Sequence, residues 1–141
     1  MTPTDLWAAL LAGCDRAEQV DRDATAAPWW QEPGRLRAAP ALTLGVTRQE
    51  SDTVLIVAAR NAWPVVVQGW RDILDEHRPV RAFGHESCGD DCDVFECDGQ
   101  LPGFGCDWPC PEIRHVAAAQ HAAGLLPAEV QTALREAGML A

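Results

Sequence analysis

Five of the six cysteines in this 141-residue chain lie between Cys88 and Cys110, and this cluster constrains the fold more than any other feature. Residues 78–110 show no strong periodicity and are dominated by Gly, Asp, Cys and Pro. A stretch of that length without regular structure is uncommon inside a compact domain unless something else orders it. In a reducing compartment, clustered cysteines bind metal more often than they form disulfides, so we expect a metal ion here.

The spacing of the cysteines indicates which metal. Two outer pairs each enclose three residues, and 13 residues separate one pair from the other. Structural zinc sites use pairs with two to four intervening residues, joined by a loop of this order. The predicted ligands of one structural Zn²⁺ are Cys88, Cys92, Cys106 and Cys110. Cys97 is an alternate thiolate, and His77 or His85 can complete a set of three cysteines and one histidine.

Cys110 is the best supported of these ligands, because Pro111 follows it. Proline suits the first position of a helix, so Cys110 is expected at the N-cap. The helix dipole and the unbonded N–H groups there favour a thiolate, which is the form that binds zinc. A closed zinc site contributes on the order of 10 kcal/mol, comparable to the stability of a whole domain.

The rest of the chain predicts an α+β fold, with residues 1–141 forming a single domain around a zinc-binding segment at 77–115. An amphipathic pattern over residues 4–20 predicts an N-terminal helix with Thr4 as N-cap. Leu36 and the run from Leu42 to Val46 predict two short strands, forming a small antiparallel hairpin.

The central region is expected to be helical, with one ambiguous stretch. The β-branched run from Thr53 to Val57 favours a buried strand by propensity. Ser51 or Asp52 can equally cap a short helix, which would make the central region a pair of helices. Asn61 is expected to cap a helix that has Pro64 in its first turn and ends near His77.

Proline and glycine residues mark the expected helix boundaries in the C-terminal part of the chain. One helix is predicted from Pro111 to Gly124, and a second from Pro127 through Ala137 to Gly138.

The charge of the chain argues against several kinds of partner. The formal net charge is −10, and the segment from His85 through Glu112 contains eight acidic residues and neither Lys nor Arg. Such a surface repels phosphate backbones and anionic membranes. No signal peptide and no run long enough to span a bilayer is recognisable, so we expect a cytoplasmic protein whose partner is another protein.

Four short phrases give the chain a family resemblance. They are Ala24-Thr25-Ala26-Ala27-Pro28-Trp29, Ile56-Val57-Ala58-Ala59-Arg60-Asn61-Ala62-Trp63-Pro64, Leu74-Asp75-Glu76-His77 and Trp108-Pro109-Cys110-Pro111-Glu112. In this order they resemble a group of short, uncharacterised actinobacterial and actinophage proteins. The resemblance implies a phage or prophage context, favours a helix over a strand for residues 52–60, and supports His77 and Cys110 as ligands.

The sequence contains none of the motifs that mark familiar catalytic sites. His-Glu-x-x-His, the zinc deaminase signature, the phosphate-binding glycine loop and Gly-x-Ser-x-Gly are all missing. The sequence therefore predicts a non-enzymatic accessory or interaction protein with a structural zinc site. The alternative is a small metal-dependent or thiol-redox enzyme.

Overall fold

A computed structural model describes residues 1–24, 29–32, 35–38, 42–46, 50–82, 94–98 and 107–141. The elements in chain order are α1 (Pro3–Asp23), β1 (Trp29–Glu32), β2 (Arg35–Ala38), β3 (Leu42–Val46), α2 (Glu50–Glu76), β4 (Pro79–Arg81), β5 (Phe95–Cys97), α3 (Pro111–Ala122) and α4 (Ala128–Glu136). One antiparallel sheet has the order β1-β2-β3, and β4 pairs with β5 in a second. The predicted α+β class is confirmed.

The chain divides into two compact units. Unit 1 contains residues 1–16 and 69–141, and unit 2 contains residues 17–68. Helices α1 and α2 each contribute residues to both units.

Helix α1 begins two residues earlier than a cap at Thr4 would require. The Thr2 hydroxyl accepts a bond from the Asp5 N–H at 3.1 Å, and the Thr2 N–H donates to the Asp5 carboxylate at 2.8 Å. This reciprocal pair is a capping box, with Pro3 at the first helical position. The prediction of Thr4 as N-cap is therefore wrong, because Thr2 has a carboxylate three residues later with which to share the two bonds.

Unit 1 is built on a helical core. Leu10 of α1, Leu74 of α2, Ile113 of α3 and Leu134 of α4 are all fully buried. Gln120 is also fully buried, and its side-chain N–H donates to the carbonyl of Leu10 at 3.0 Å. The amphipathic stripes read from the sequence therefore meet in one apolar interior.

Unit 2 joins the three-stranded sheet to two helical segments. The Asn61 amide bonds both backbone groups of Trp29, accepting from its N–H at 2.9 Å and donating to its C=O at 3.0 Å. Because β1 is at the edge of the sheet, this side chain satisfies groups that a further strand would otherwise bond. The Arg60 guanidinium lies over the Trp29 ring and pairs with Asp21 of α1.

The hairpin predicted from Leu36 and Leu42–Val46 corresponds to β2 and β3, and β1 extends it to three strands.

The central region is one continuous helix rather than a strand followed by a helix, or a pair of helices. Helix α2 runs from Glu50 to Glu76 with Pro64 inside it. The strand predicted by propensity at Thr53–Val57 is wrong, and the helix implied by the family resemblance is correct. Asn61 is not an N-cap: it lies within the helix, and its side chain bonds the sheet edge instead. Pro64 removes one helical hydrogen bond, while the neighbouring Trp63 indole donates to the Ala17 carbonyl at 3.1 Å.

The boundaries of the C-terminal helices agree with those predicted from proline and glycine. Gly124 and Gly138 follow α3 and α4 with φ values of 70° and 66°, the left-handed conformation that ends helices. Within the described ranges, none of the helices is both long enough and apolar enough to cross a membrane.

Candidate metal centre

Three elements of unit 1 bring one side chain each to a common point. His77 directly follows α2, Cys97 is the last residue of β5, and Cys110 directly precedes α3. One ligand atom from each of the three lies within 4.8 Å of the others. The group can therefore hold a metal ion.

Pairing on both edges of β5 fixes the position of Cys97. On one edge Cys97 is opposite Pro79, which follows His77 by two residues, and the Asp98 N–H donates to the Arg78 carbonyl at 2.7 Å. On the other edge Glu96 is bridged to Asp107. The same strand thus links the segment after α2 to the segment before α3.

Cys110 occupies the N-cap of α3, as predicted. Its φ and ψ are −71° and 167°, Pro111 starts the helix, and the Cys110 carbonyl accepts the first helical bond from the Arg114 N–H at 3.1 Å. Its thiol therefore lies at the positive end of the helix dipole, which favours a thiolate or an anionic ligand set.

The first turn of α3 also carries a perturbed carboxyl group. The pKa of Glu112 is lowered, first because its own backbone N–H donates to the carboxylate and second because the Cys110 side chain donates to it. Positive charge on His77 and His115 acts in the same direction. The helix start therefore concentrates groups that stabilise negative charge.

The distances in the group suit tetrahedral coordination. The Cys110 Sγ atom lies 3.4 Å from His77 Nδ1. Two ligand atoms bonded tetrahedrally at the usual Zn–S and Zn–N lengths are about 3.6 Å apart. Cys97 and Cys110 are 3% and 1% exposed, so a metal bound between them is shielded from solvent on that side. One nitrogen and two sulfur ligands are a set typical of zinc and other thiophilic metals.

Burial also bears on a nucleophilic role for Cys110. A reactive cysteine needs partial exposure so that a substrate can reach its sulfur. At 1% exposure, Cys110 does not offer this. His115, the other histidine near it in sequence, is exposed on α3, and the imidazole that the thiol meets belongs to His77.

The predicted ligands fall into two groups. Cys110 meets both alternates, His77 and Cys97, in the cluster. Cys88, Cys92, Cys106 and His85 lie outside the described residues, so the four-thiolate set stays a prediction. Cys14, the cysteine remote in sequence, is fully buried in the helical core of unit 1.

Sequence reasoning gave too little weight to Cys97. The regular spacing of the two outer cysteine pairs left Cys97 as an alternate ligand only, whereas strand pairing places it beside His77. A sequence signal did exist: Pro79-Val80-Arg81 and Phe95-Glu96-Cys97 are short segments with β-forming residues on either side of the Gly- and Asp-rich stretch.

Unit 2 contains a groove of a different chemical kind. Its volume is about 330 Å³, and it is lined by Val20, Ala24, Ile56, Ala59 and Trp63, with the Asp21–Arg60 ion pair beside them. These residues provide neither a metal ligand set nor a nucleophile with a base.

Comparison of the chain with protein-family models, with curated proteins and with solved structures finds no match. The candidate function therefore rests on the residues themselves.

Proposed function

We propose that this chain is a non-enzymatic accessory protein that acts by binding another protein, with one structural Zn²⁺ fastening the 77–115 segment. The observation that carries the proposal is the convergence of His77, Cys97 and Cys110 from three separate elements. Two thiols and one imidazole, each offering a ligand atom within 4.8 Å of the others, are the donor types that Zn²⁺ binds in proteins.

The proposed metal is Zn²⁺ because the ligands are two thiolates and one imidazole. Structural zinc sites are closed by a fourth protein ligand. The candidates for that ligand are Cys88, Cys92 and Cys106, which belong to the same segment.

The energetic role of the metal follows from where its ligands are attached. The ion would join the end of α2, strand β5 and the start of α3. Strands β4 and β5 have only three residues each, and an isolated two-stranded hairpin is marginally stable in water. A bound zinc ion contributes on the order of 10 kcal/mol of folding free energy, which is enough to hold such a hairpin in place.

The charge favours a protein partner with a basic surface. The net charge is −10, and the metal segment is rich in carboxylates. Three or four thiolates around a divalent ion add no positive charge, so a phosphate backbone is repelled. The family resemblance makes a phage or prophage protein acting in a host cytoplasm the proposed setting.

The first experiment is elemental analysis of the purified full chain, with thiol counting before and after chelation. The expected result is one zinc per chain and several thiols that react only after chelation. Cys110→Ser and Cys97→Ser should each lose most of the zinc. Cys14→Ala is the matched control, because it removes a fully buried cysteine outside the cluster and should keep full zinc content. Metal-free protein with reactive or disulfide-bonded thiols would end the proposal.

A second candidate function is a small metal-dependent enzyme, favoured by a described ligand group of three residues, the number that a catalytic zinc site uses. The burial of Cys110 argues against the thiol-redox form of this alternative. The two candidates differ in the fourth coordination position. A catalytic zinc keeps that position open to water, whereas a structural zinc closes it with protein. Substituting Co²⁺ and adding a small anion such as azide distinguishes them: a change in the cobalt spectrum favours the enzyme, and an unchanged spectrum favours the structural site.

A further inference from the structure

Helix α2 carries an exposed apolar stripe in unit 2. Leu55 and Val65 are 69% and 75% exposed, the highest values among the exposed large hydrophobic residues of the described chain. Ala58 and Ala62 lie between them on the same side of the helix and are also exposed. This apolar stripe is defined here by Leu55, Ala58, Ala62 and Val65.

The opposite side of the same helix is already occupied. Thr53 and Val67 are buried. Arg60 pairs with Asp21, and Asn61, at the border of the stripe, bonds the backbone of Trp29. The polar side chains in this stretch are therefore used for contacts within unit 2, while the stripe left facing solvent is entirely apolar. A helix that faces water normally shows the reverse arrangement.

The stripe has a symmetric pattern. Its residues are spaced three, four and three positions apart, which is the spacing of the a and d positions that line a seam between two helices. Read in either direction along the helix, the order is large, small, small, large. Two antiparallel copies therefore place Leu55 opposite Val65 at both ends and Ala58 opposite Ala62 in the middle. Alanines at the centre let the two helix axes approach closely.

The area of the stripe is compatible with a weak symmetric interface. From the exposed fractions, the stripe and the flanking Val54 and Val66 offer on the order of 500 Å² per copy, or about 1,000 Å² for a pair, at the lower limit for a specific interface. A twofold contact uses the same patch on both copies, so this single stripe is sufficient.

We propose that the occupant of the stripe is a second copy of this chain, bound through an antiparallel α2–α2 contact about a twofold axis. Interfaces at this lower size limit are typical of weak and transient contacts, so we expect a dimer that dissociates in the micromolar range. The inference is independent of the metal, because all the residues of the stripe lie in unit 2 and the metal ligands lie in unit 1.

Sedimentation velocity over a concentration series tests the proposal on the full chain. The native protein should change from monomer to dimer as its concentration rises through the micromolar range. Leu55→Glu should stay monomeric at every concentration, with at least a tenfold weaker association, because each copy would bury a carboxylate against Val65 of the other. Val20→Glu is the matched control: Val20 is 55% exposed on α1, outside the stripe, and its variant should associate as the native chain does.

A charge-pair rescue tests the register. In a mixture of Leu55→Glu with Val65→Arg, the antiparallel pairing brings Glu and Arg together at one end and keeps the native Leu55–Val65 contact at the other. The mixture should form mixed dimers that neither variant forms alone, as measured by native mass spectrometry. A parallel pairing cannot give this result, because it places position 55 opposite itself.

Three results would overturn the inference. They are a native chain that stays monomeric to several hundred micromolar, a Leu55→Glu variant that dimerises normally with an unchanged circular dichroism spectrum, and a failed rescue. In the first case the stripe is either covered within the chain or used by a different protein.

Discussion

Unit 1 holds its chain in place in two different ways. The helical core around Leu10, Ile113 and Leu134 is fully buried, and burial of these apolar side chains stabilises it. The cluster of His77, Cys97 and Cys110 instead lies where two three-residue strands meet a helix start. With the proposed metal bound, one compact unit depends on apolar burial in one part and on ligand bonds in another, and the two parts should respond to different perturbations.

The largest expected effect separates the two parts directly. Removal of the metal by a chelator should lower the exchange protection of the hairpin amides of Ala82, Asp98 and Trp108 by at least about tenfold, because ligand bonds stabilise that region. The amides of Leu125 and Met139, which bond to α3 and α4, should keep theirs. Hydrogen exchange read by mass spectrometry or NMR measures both sets in one sample. An equal loss of exchange protection in the hairpin amides and in the core amides would mean that the core also depends on the metal.

The next effect acts on the core alone. Leu10→Ala should lower the free energy of unfolding by about 3 kcal/mol, because it leaves a cavity at a fully buried position. Zinc content per folded chain should stay unchanged. Val20→Ala, at a site on α1 that is 55% exposed and outside the apolar stripe of α2, is the control and should change stability by less than about 0.5 kcal/mol. Chemical denaturation measures both; loss of zinc in folded Leu10→Ala would show that the two parts are coupled.

A third prediction tests how tightly the core is packed. In Gly13→Ala the added methyl group would overlap the carboxamide of Gln120, so the free energy of unfolding should fall by about 1–3 kcal/mol. Gly69→Ala is the matched substitution within α2, where no atom of the described residues, apart from the adjoining helix backbone, lies within 4 Å of the added carbon. That variant should gain about 0.5–1 kcal/mol from helix propensity. Thermal unfolding of the pair should move in opposite directions, and a shift of the same sign would contradict this account of the core.

The smallest effect concerns pH at the start of α1. The pKa of Asp5 is lowered from 3.8 by the backbone N–H and the hydroxyl of Thr2. A carboxyl with a lowered pKa in the folded state adds stability above its unfolded pKa, and the contribution is lost as the pH falls through the folded pKa. The stability difference between the native chain and Asp5→Ala should therefore be constant above about pH 5 and shrink below 3.8. A difference that persisted at the lowest pH would assign the effect to packing.

The parts of the fold that were predictable are those with local signals. Pro111 and Gly124 bracket α3, and a proline after Cys110 marks an N-cap, because these residues act through their own backbone conformations. The helix at Thr53–Val57 was not predictable from propensity, since a run of β-branched residues favours a strand by itself. Asn61 shows the limit most clearly: the same amide that can cap a helix bonds the edge of a sheet 32 residues away in sequence.

The sequence predicted which segment carries the candidate metal site, but not which of its residues come together. Clustered cysteines identified the segment, and Pro111 identified Cys110. The meeting of His77 with Cys97 depends on the pairing of β4 with β5 across a long intervening stretch. Spacing along the chain carries no information about such a pairing. A prediction from spacing therefore favoured the regular outer pairs over Cys97 as metal ligands.

The most direct test of the central claim is X-ray absorption at the zinc edge of the purified chain. A site that includes His77, Cys97 and Cys110 predicts at least two sulfur ligands at about 2.3 Å together with an imidazole nitrogen at about 2.0–2.1 Å. Four sulfurs with no nitrogen would show that His77 is not a ligand and would favour the all-cysteine set, and a shell of oxygens would show that zinc does not bind at this cluster.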